Sequence, residues 1–518
     1  MKNREKLFYF HKNLLFCCTP SPLKNVPSLN LNVNFSKFIF MRAFYMIFLL
    51  FTCTNLYSQG LREPTTVSIL KNAISESPVL DVKIINTIGE KFLVTGSFTK
   101  RIIWGGRSVN TTSQEGVFLG KFTIGGVCTW LKKFTGTVAG SSIVVSDIAS
   151  DMEGNIYLAI VSWNGFIIDG RLIPHTPGNI PESVLVKLTS AGEVKWITSF
   201  SSSTMATSIR LAITPSNHII CTGTYQDNLV IKSLKDTRTI TATGSRNIFI
   251  CSLSRTGWLE WLQRSEGDFE DNPEISIGSS DTIFIAAQFR NRARFDEFSL
   301  SQPGGMCVAK FDPRGICSWL IGDAGGASVR PLSMASDSKG NIFVGGHFSN
   351  TLEFGGKSVS SRGGYDIFIS KILSTGVVES LVGVGSPVDN LSAAITIDKT
   401  DMLLLTGSYT GTAYFSTSVM GSTAIGVAPE FFIAAFSTSD LSHFWTESSM
   451  DEGRELSHDI ATINGITGKE VFVGVVGIFR GNMYFDAQHL SNPGTNYRAF
   501  LLIKRYPRGL ITPTVSSP

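Results

Sequence analysis

The chain has 518 residues, 43% of them hydrophobic, which is enough apolar material for a buried core and excludes a wholly disordered chain. Charged residues make up only 17%, against about 25% in an average soluble domain, while 49 Gly and 36 Phe point to many turns and many aromatic-bearing strands. The net charge of +4 comes from residues 1–60, with seven basic residues and one acid; the rest holds 38 basic and 40 acidic residues, a net of −2, so a nucleic-acid partner attracted by bulk charge is excluded.

Residues 1–40 carry no usable periodicity. From Met41 the chain reads MRAFYMIFLLFTCTNLYSQG, with Arg42, an apolar run from Ala43 to Cys53 and a polar stretch ending Tyr57-Ser58-Gln59-Gly60. The run suits a signal-peptide core of roughly 7–15 residues and is too short for the ~20 that span a bilayer. Translation is expected from Met41, with a signal peptide over 41–58 and the whole leader 1–58 lost from the mature protein. The alternative is one long uncleaved anchor; a lipid anchor at Cys53 is disfavoured by Phe51-Thr52, where small residues belong. An exported protein follows, periplasmic, cell-surface or extracellular, with no stable membrane span after cleavage. Cys128, Cys221, Cys251, Cys307 and Cys317 would remain, odd in number and without CxxC or Cys/His spacing. Neither a disulfide framework nor a metal site is expected; Cys221 and Cys251 fall in one repeat and could meet across neighbouring strands, the alternative being that they are small buried hydrophobes.

A period near sixty residues follows. The clearest unit is DSKGNIFVGGHFSNTLEFGG, Asp337 to Gly356, and related segments close on Phe98, Trp163, Tyr225, Phe289, Phe348, Tyr409 and Phe479, at intervals of 65, 62, 64, 59, 61 and 70. Six residues further on, a second aromatic recurs at Trp104, Phe295, Phe354, Phe415 and Phe485. Four repeats then show Gly-x-x-x-Trp, at Gly126/Trp130, Gly192/Trp196, Gly257/Trp261 and Gly315/Trp319. Alternating apolar residues and Gly-rich turns predict short antiparallel strands in hairpins. Single units of this size cannot bury both faces, and radial stacking with ring closure solves that. The expected fold is all-β, a seven-bladed β-propeller over 67–510 preceded by a signal peptide, with no room for helices of any length. Blades are expected near 79–134, 143–200, 206–265, 273–322, 331–384, 391–448 and 457–510, with a short tail at 511–518. The last repeat lacks a Trp-bearing final strand, and VSILKNAI (67–74) looks like VCTWLKKF (127–134). Residues 67–74 are therefore expected to supply the outer strand of the last blade.

The unit DSKGNIFVGGHF…LEFGG…DIFISKILSTG resembles the bacterial β-propeller repeat family often called SBBP. The match is best at Asp151, Gly154, Asn155 and Tyr157, and at Asp337, Gly340, Asn341, Phe343, Gly346 and Phe348; repeats three, four and six are degenerate. The resemblance implies an exported or surface-exposed protein and no common catalytic activity.

Signatures of chemistry are sparse. Asp337 and Gly340 are too far apart for the Asp box of sialidases, and no Gly-x-Ser-x-Gly, His-Glu-x-x-His or EF-hand pattern occurs. Gly356-Lys357-Ser358 imitates the end of a phosphate loop but lies in a hairpin, with Thr351 where the first glycine belongs. The Trp residues read as packing between repeats rather than as a quinone-cofactor signature, and no cofactor is expected. His175, His218, His347, His443, His458 and His489 fall at non-equivalent places, which argues against a metal role. Arg290, Arg292 and Arg294 alternate on one strand face, either gripping an acidic glycan or facing solvent. The insertion around Pro174, Pro177 and Pro181 is read as an ordinary long surface loop, with a contact loop as the alternative. Counting back 15–20 residues from each closing aromatic reaches Asp81, Asp147, Arg210, Glu274, Ser333, Ala394 and Asp459 on the innermost strands. Asp81, Asp147, Arg210, Glu274 and Asp459 are the candidate ligand-binding ring around the axis, for a cation or polar ligand; the alternative, favoured here, is that these groups satisfy backbone N–H groups of their own or a neighbouring blade. The functional expectation is a monomeric, non-enzymatic protein- or glycan-binding scaffold. The alternatives are a glycoside hydrolase or lyase using inner-strand carboxylates, and a purely structural envelope component.

Overall fold

The fifth repeat shows how the sequence makes each unit. Asp337 ends the innermost strand, Ser328–Ser336, and its Oδ1 accepts the N–H groups of Lys339 and Asn341 at 3.0 and 2.8 Å, while Gly340 takes φ 80. That turn sends the chain back along Ile342–Phe354. Gly355 and Gly356, at φ 57 and 74, reverse it into Lys357–Ile372, as a two-residue hairpin turn with both residues at positive φ requires. Val378–Gly385 completes the antiparallel meander as its outermost strand. This structure, a computed structural model, describes residues 68–507 except 76–77, 112–114, 138–141, 175–179, 205–207, 271, 391–392, 416–417, 422–427 and 450–452. The expected leader over 1–58, the expected tail at 511–518, His175 and Pro177 lie outside the described residues.

Among the described residues the same meander recurs seven times, each opening on an innermost strand: Val79–Thr87, Ile143–Ser150, Arg210–Ile213, Glu274–Ile277, Ser328–Ser336, Ala393–Ile397 and Arg454–Asn464. Each of these touches the next, and the last touches the first. In the final meander the outermost place is taken by Ser68–Asn72, which pairs antiparallel with Arg498–Pro507, Ser68 opposite Lys504 and Asn72 opposite Phe500. The fold is all-β; the helical content described is one 3-10 turn at Ser279–Asp281, and no described helix is long and apolar enough to cross a membrane.

The core is divided between neighbours. One apolar cluster joins Leu93, Leu119 and Phe134 of the first meander to Ile148, Leu158 and Phe166 of the second, and comparable clusters join the other consecutive pairs, including the last with the first. The middle strands are covered on both sides, so Ile156–Ser162 and Glu182–Leu188 are buried throughout rather than alternating. Each buried Phe or Leu contributes about 1.5–3 kcal/mol, and these side chains serve two meanders at once.

Polar latches run in the same direction round the ring. Trp196, Trp261 and Trp319 donate from Nε1 to the carbonyls of Arg255, Pro313 and Ser374 in the next meander, at 3.1, 3.1 and 3.2 Å. Lys121, Lys187, Lys310 and Lys371 reach the carbonyls of Ser190, Arg255, Ser374 and Ser439. The glycines of the Gly-x-x-x-Trp pattern thus have a packing reason: Gly315, at φ 81, lies under the Trp261 ring, and a Cβ there would fall 2.6 Å from it. Gly257 lies likewise under Trp196, whereas Gly192 faces the Lys132 stem and Gly126 faces Ile69.

The residues between the second and third strands form hairpins that lean on the preceding meander. Phe166–Ile168 pairs with Cys128–Gly136, Asn228–Lys232 with Val194–Ser202, and Thr412–Phe415 with Val378–Gly385. The second recurrent aromatics, among them Trp104, Phe295, Phe354 and Phe485, are the buried anchors of these hairpins. Trp163 is not the second repeat's marker: Ser162, opposite Glu182, holds the place that Phe98 holds opposite Gly116, and Trp163 is 36% exposed.

Candidate functional site

Strand pairing fixes which residues are equivalent on the innermost strands. Lys83 lies opposite Thr95, Asp147 opposite Ala159, Arg210 opposite Thr222, Glu274 opposite Ala286, Ser333 opposite Gly345, Ala394 opposite Thr406 and Asp459 opposite Val476. Each partner stands three residues before Phe98, Ser162, Tyr225, Phe289, Phe348, Tyr409 or Phe479. The structure thus brings Asp147, Arg210, Glu274 and Asp459 to one level of the ring, with Ser333 and Ala394, but not Asp81. A β-bulge between Leu80 and Lys83 holds Asp81 at φ 52 and hands its place to Lys83. Three other innermost strands bulge at the same level, leaving Ser146, Leu332 and His458 as the extra residues.

The ring groups answer one another across neighbouring strands. Lys83 Nζ is 3.5 Å from Asp147 Oδ1. Asp147 Oδ2 accepts the Leu211 N–H at 2.8 Å. Arg210 meets Glu274 Oε1 through Nη2 and Nε at 2.9 and 3.1 Å, and its Nη1 donates to the Ser146 carbonyl. Ser333 Oγ accepts the Ile395 N–H at 3.1 Å. Asp459 accepts the N–H groups of Ile84 and Ile460 at 3.0 and 2.9 Å. Burial pushes the Glu274 and Asp459 carboxyls above the usual range, against the pull of Arg210 on the first and Lys83 on the second.

Two cavities lie end to end along the axis, sharing Lys83, Leu332 and His458 in their walls. One, of about 450 Å³, sits at the N-terminal ends of the innermost strands, with Asp81 and Arg210 in its lining. The other, of about 300 Å³, sits toward their C-terminal ends and is lined by Asp147, Glu274 and Asp459. His458 was missed as a site residue because its histidine has no counterpart in other repeats; the bulge alone turns it to the axis. Enclosure between the strands, helped by the Lys83 charge, lowers its pKa to about 4, so the ring is neutral at pH 7.

The other candidates separate from this site. Arg290 pairs with Glu270 at 2.6 Å, and Arg292 and Arg294 with Glu266 at 3.6 and 3.3 Å, so the arginine face carries its own counter-ions. His218 stands 3.6 Å from Glu260, His443 Nε2 is 2.6 Å from Thr446 Oγ1, and His347 and His489 lie against Tyr365 and Tyr484. Among the described residues no group of three His, Cys, Asp or Glu side chains is placed to hold a metal ion. Cys221 lies directly opposite Cys251, both buried as free thiols.

No family model matches the chain. An uncharacterized WD repeat-containing protein of Acanthamoeba polyphaga mimivirus is 22% identical over 207 residues; the match takes in 36% of this chain and 15% of that protein's length. Among solved structures, a protein of unknown function from Dyadobacter fermentans is 9% identical, with a TM-score of 0.40 over 85% of this chain and 99% of that one. The Neurospora crassa Pan2 WD40 domain is 8% identical, with a TM-score of 0.39 over 84% and 95%. A leech intramolecular trans-sialidase is 10% identical, with a TM-score of 0.34 over 85% and 69%. These likenesses include both an enzyme and a WD40 domain, and do not separate the two kinds of function.

Proposed function

We propose that the chain is an exported, monomeric seven-bladed β-propeller of the SBBP repeat kind. It acts without catalysis as a scaffold that binds a protein or glycan at the cell envelope or outside the cell. The observation that carries this reading is the state of the axial carboxylates: Asp147, Glu274 and Asp459 each meet a cation or backbone N–H of the neighbouring repeat. They fasten the ring. A glycoside hydrolase would need two carboxyl groups free to face a sugar, about 5–9.5 Å apart, and these three are already engaged.

The binding surface is placed on the hairpins that overlap the preceding blade. They expose Ile167, Leu172, Leu234 and Tyr484, at 36 to 57%, on a rigid base. Cross-linking on intact cells, with identification of the attached molecules, tests the reading. One recurrent protein or glycan partner, lost on Leu172→Glu with Leu234→Glu, is the expected result. Recovery of only soluble, unattached chain would refute it.

A further inference from the structure

One buried place breaks the repeat. In six meanders the third-strand residue opposite Phe92, Ile156, Ile219, Ile283, Ile342 or Leu403 is Phe122, Leu188, Leu253, Phe311, Ile372 or Phe436, each of them buried. In the last meander it is Lys504, opposite Val473, with its side chain 2% exposed. The neighbour of Lys504 on the outermost strand is Ser68, where Val194, Leu259 and Val378 stand in other meanders. Lys504 Nζ lies over the Phe485 and Tyr506 rings, 5.1 and 5.5 Å from their centres. It meets two carboxylates: Asp486 Oδ2 at 3.0 Å, in the turn of its own hairpin, and Glu447 Oε2, on the outermost strand of the sixth meander. Lys83, Lys132 and Lys371, the other lysines with ion pairs among the described residues, have one carboxylate each. The Ser68 hydroxyl also donates to Asp486 Oδ2, and Tyr506 Oη donates to Glu447 Oε2 at 3.1 Å. An apolar residue would fill this place at less cost than a desolvated ammonium, so packing does not account for the lysine.

We infer that Lys504 and Asp486 join in an amide bond, a cross-link that the folded chain makes from its own side chains. The contacts assign the parts. Glu447, the second carboxylate on Nζ, accepts a proton from the ammonium, and the freed lone pair attacks Asp486 Cγ. Ser68, which donates to Oδ2, steadies the charge on the oxygen that stays. Glu447 carries two protons in turn from the nitrogen to Oδ1, the Cγ–Oδ1 bond breaks, and water leaves. Ammonium and carboxylate thus become one amide and one water, Glu447 is returned ionised, and no oxidant, reductant or co-reactant is consumed. Groups held in contact react as if at about 10⁵–10⁸ M, which offsets the excess of water that favours hydrolysis. The amine is enclosed, but the Asp486 side chain is 40% exposed, so the water formed has a way out. The bond fixes the hairpin turn to the third strand beside Ser68, and it is independent of export and of any partner at the hairpin surface.

Intact-mass spectrometry and peptide mapping of the purified chain test this. The folded protein should weigh one water less than its sequence read from the determined N-terminus. Digestion should yield Asp486 and Lys504 in one branched peptide. Glu447→Gln keeps both joined groups and removes the proton carrier, so freshly synthesised chain should gain the bond about 10²-fold more slowly. Lys504→Arg and Asp486→Ala should keep the full sequence mass, with circular dichroism verifying the fold of all three variants. Full sequence mass for the folded wild-type chain after prolonged incubation would overturn the assignment. So would a water loss mapped to Asp486 alone or to another pair, Lys504 with Glu447 included, or cross-linking of Glu447→Gln at the wild-type rate.

Discussion

Gly315→Ala probes the latch between repeats most directly, because two separate costs can be read from the structure. At φ 81 any residue with a Cβ pays about 1–2 kcal/mol for the left-handed backbone. The new methyl would also sit 2.6 Å from the Trp261 ring, an overpacking worth about 1–3 kcal/mol. Gly106→Ala supplies the control: its φ is 77 and its Cβ would meet nothing within 4 Å, so it pays the backbone cost alone. With an unfolding entropy of about 2.1 cal/mol/K per residue over roughly 440 residues, 3 kcal/mol lowers the melting temperature by about 3 °C, against about 1–2 °C for the control. Urea unfolding followed by tryptophan fluorescence measures the same difference. Combining Gly315→Ala with Trp261→Ala should recover the packing part, a coupling of about 1–3 kcal/mol. If Gly315→Ala and Gly106→Ala cost the same, or the double variant shows no coupling, the latch is not as described.

Further perturbations address the seam, the axis and the thiols. Deleting residues 68–75 leaves Arg498–Pro507 as an open edge, so concentration-dependent oligomers should appear in light scattering; a monomer with an unchanged urea midpoint would contradict the pairing. His458 is held neutral with a pKa of about 4 in the folded chain, below its unfolded value near 6.5. The unfolded chain therefore takes up the proton first, and stability present above pH 6.5 is lost as the pH falls toward 4. Comparing wild type with His458→Gln in urea isolates this loss, about 2 kcal/mol by pH 4.5; parallel pH profiles for the two would refute it. Burial raises the thiols of Cys128 and Cys317 to about 11 and about 12 and those of Cys221 and Cys307 well above their ordinary value. Ellman's reagent at pH 8 should find these thiols silent until guanidinium is added, and rapid labelling of the native protein would show that they are not enclosed.

Much of this architecture was legible because the repeat does the same physical work each time. The Asp-x-x-Gly-Asn turn, the middle-strand apolar runs and the Gly-x-x-x-Trp ends announce a hairpin, a doubly covered strand and a contact with the next unit. Asp147, Arg210, Glu274 and Asp459 lie where the count placed them, whereas Asp81 gave way to Lys83, because a bulge adds one residue to a strand and no local residue type signals it. Most repeats keep a fixed spacing of 15 residues between ring position and marker, and applied to Phe98 that spacing selects Lys83. His458 and the leaning hairpins were hidden for a related reason: both depend on where a neighbouring repeat sits, and single-strand patterns carry no record of it.

The pairing of Ser68–Asn72 with Arg498–Pro507 joins residues 436 apart, and so governs the order of events in time. Meanders close locally, between strands a few residues apart, whereas this junction spans nearly the whole described chain and pays a closure entropy of about 5 kcal/mol, by (3/2)RT ln n. It forms late. Interactions absent from the folding transition state act chiefly on the rate of unfolding. The five residues of Ser68–Asn72 therefore work as a time lock, setting how long the ring survives before a protease finds an open end.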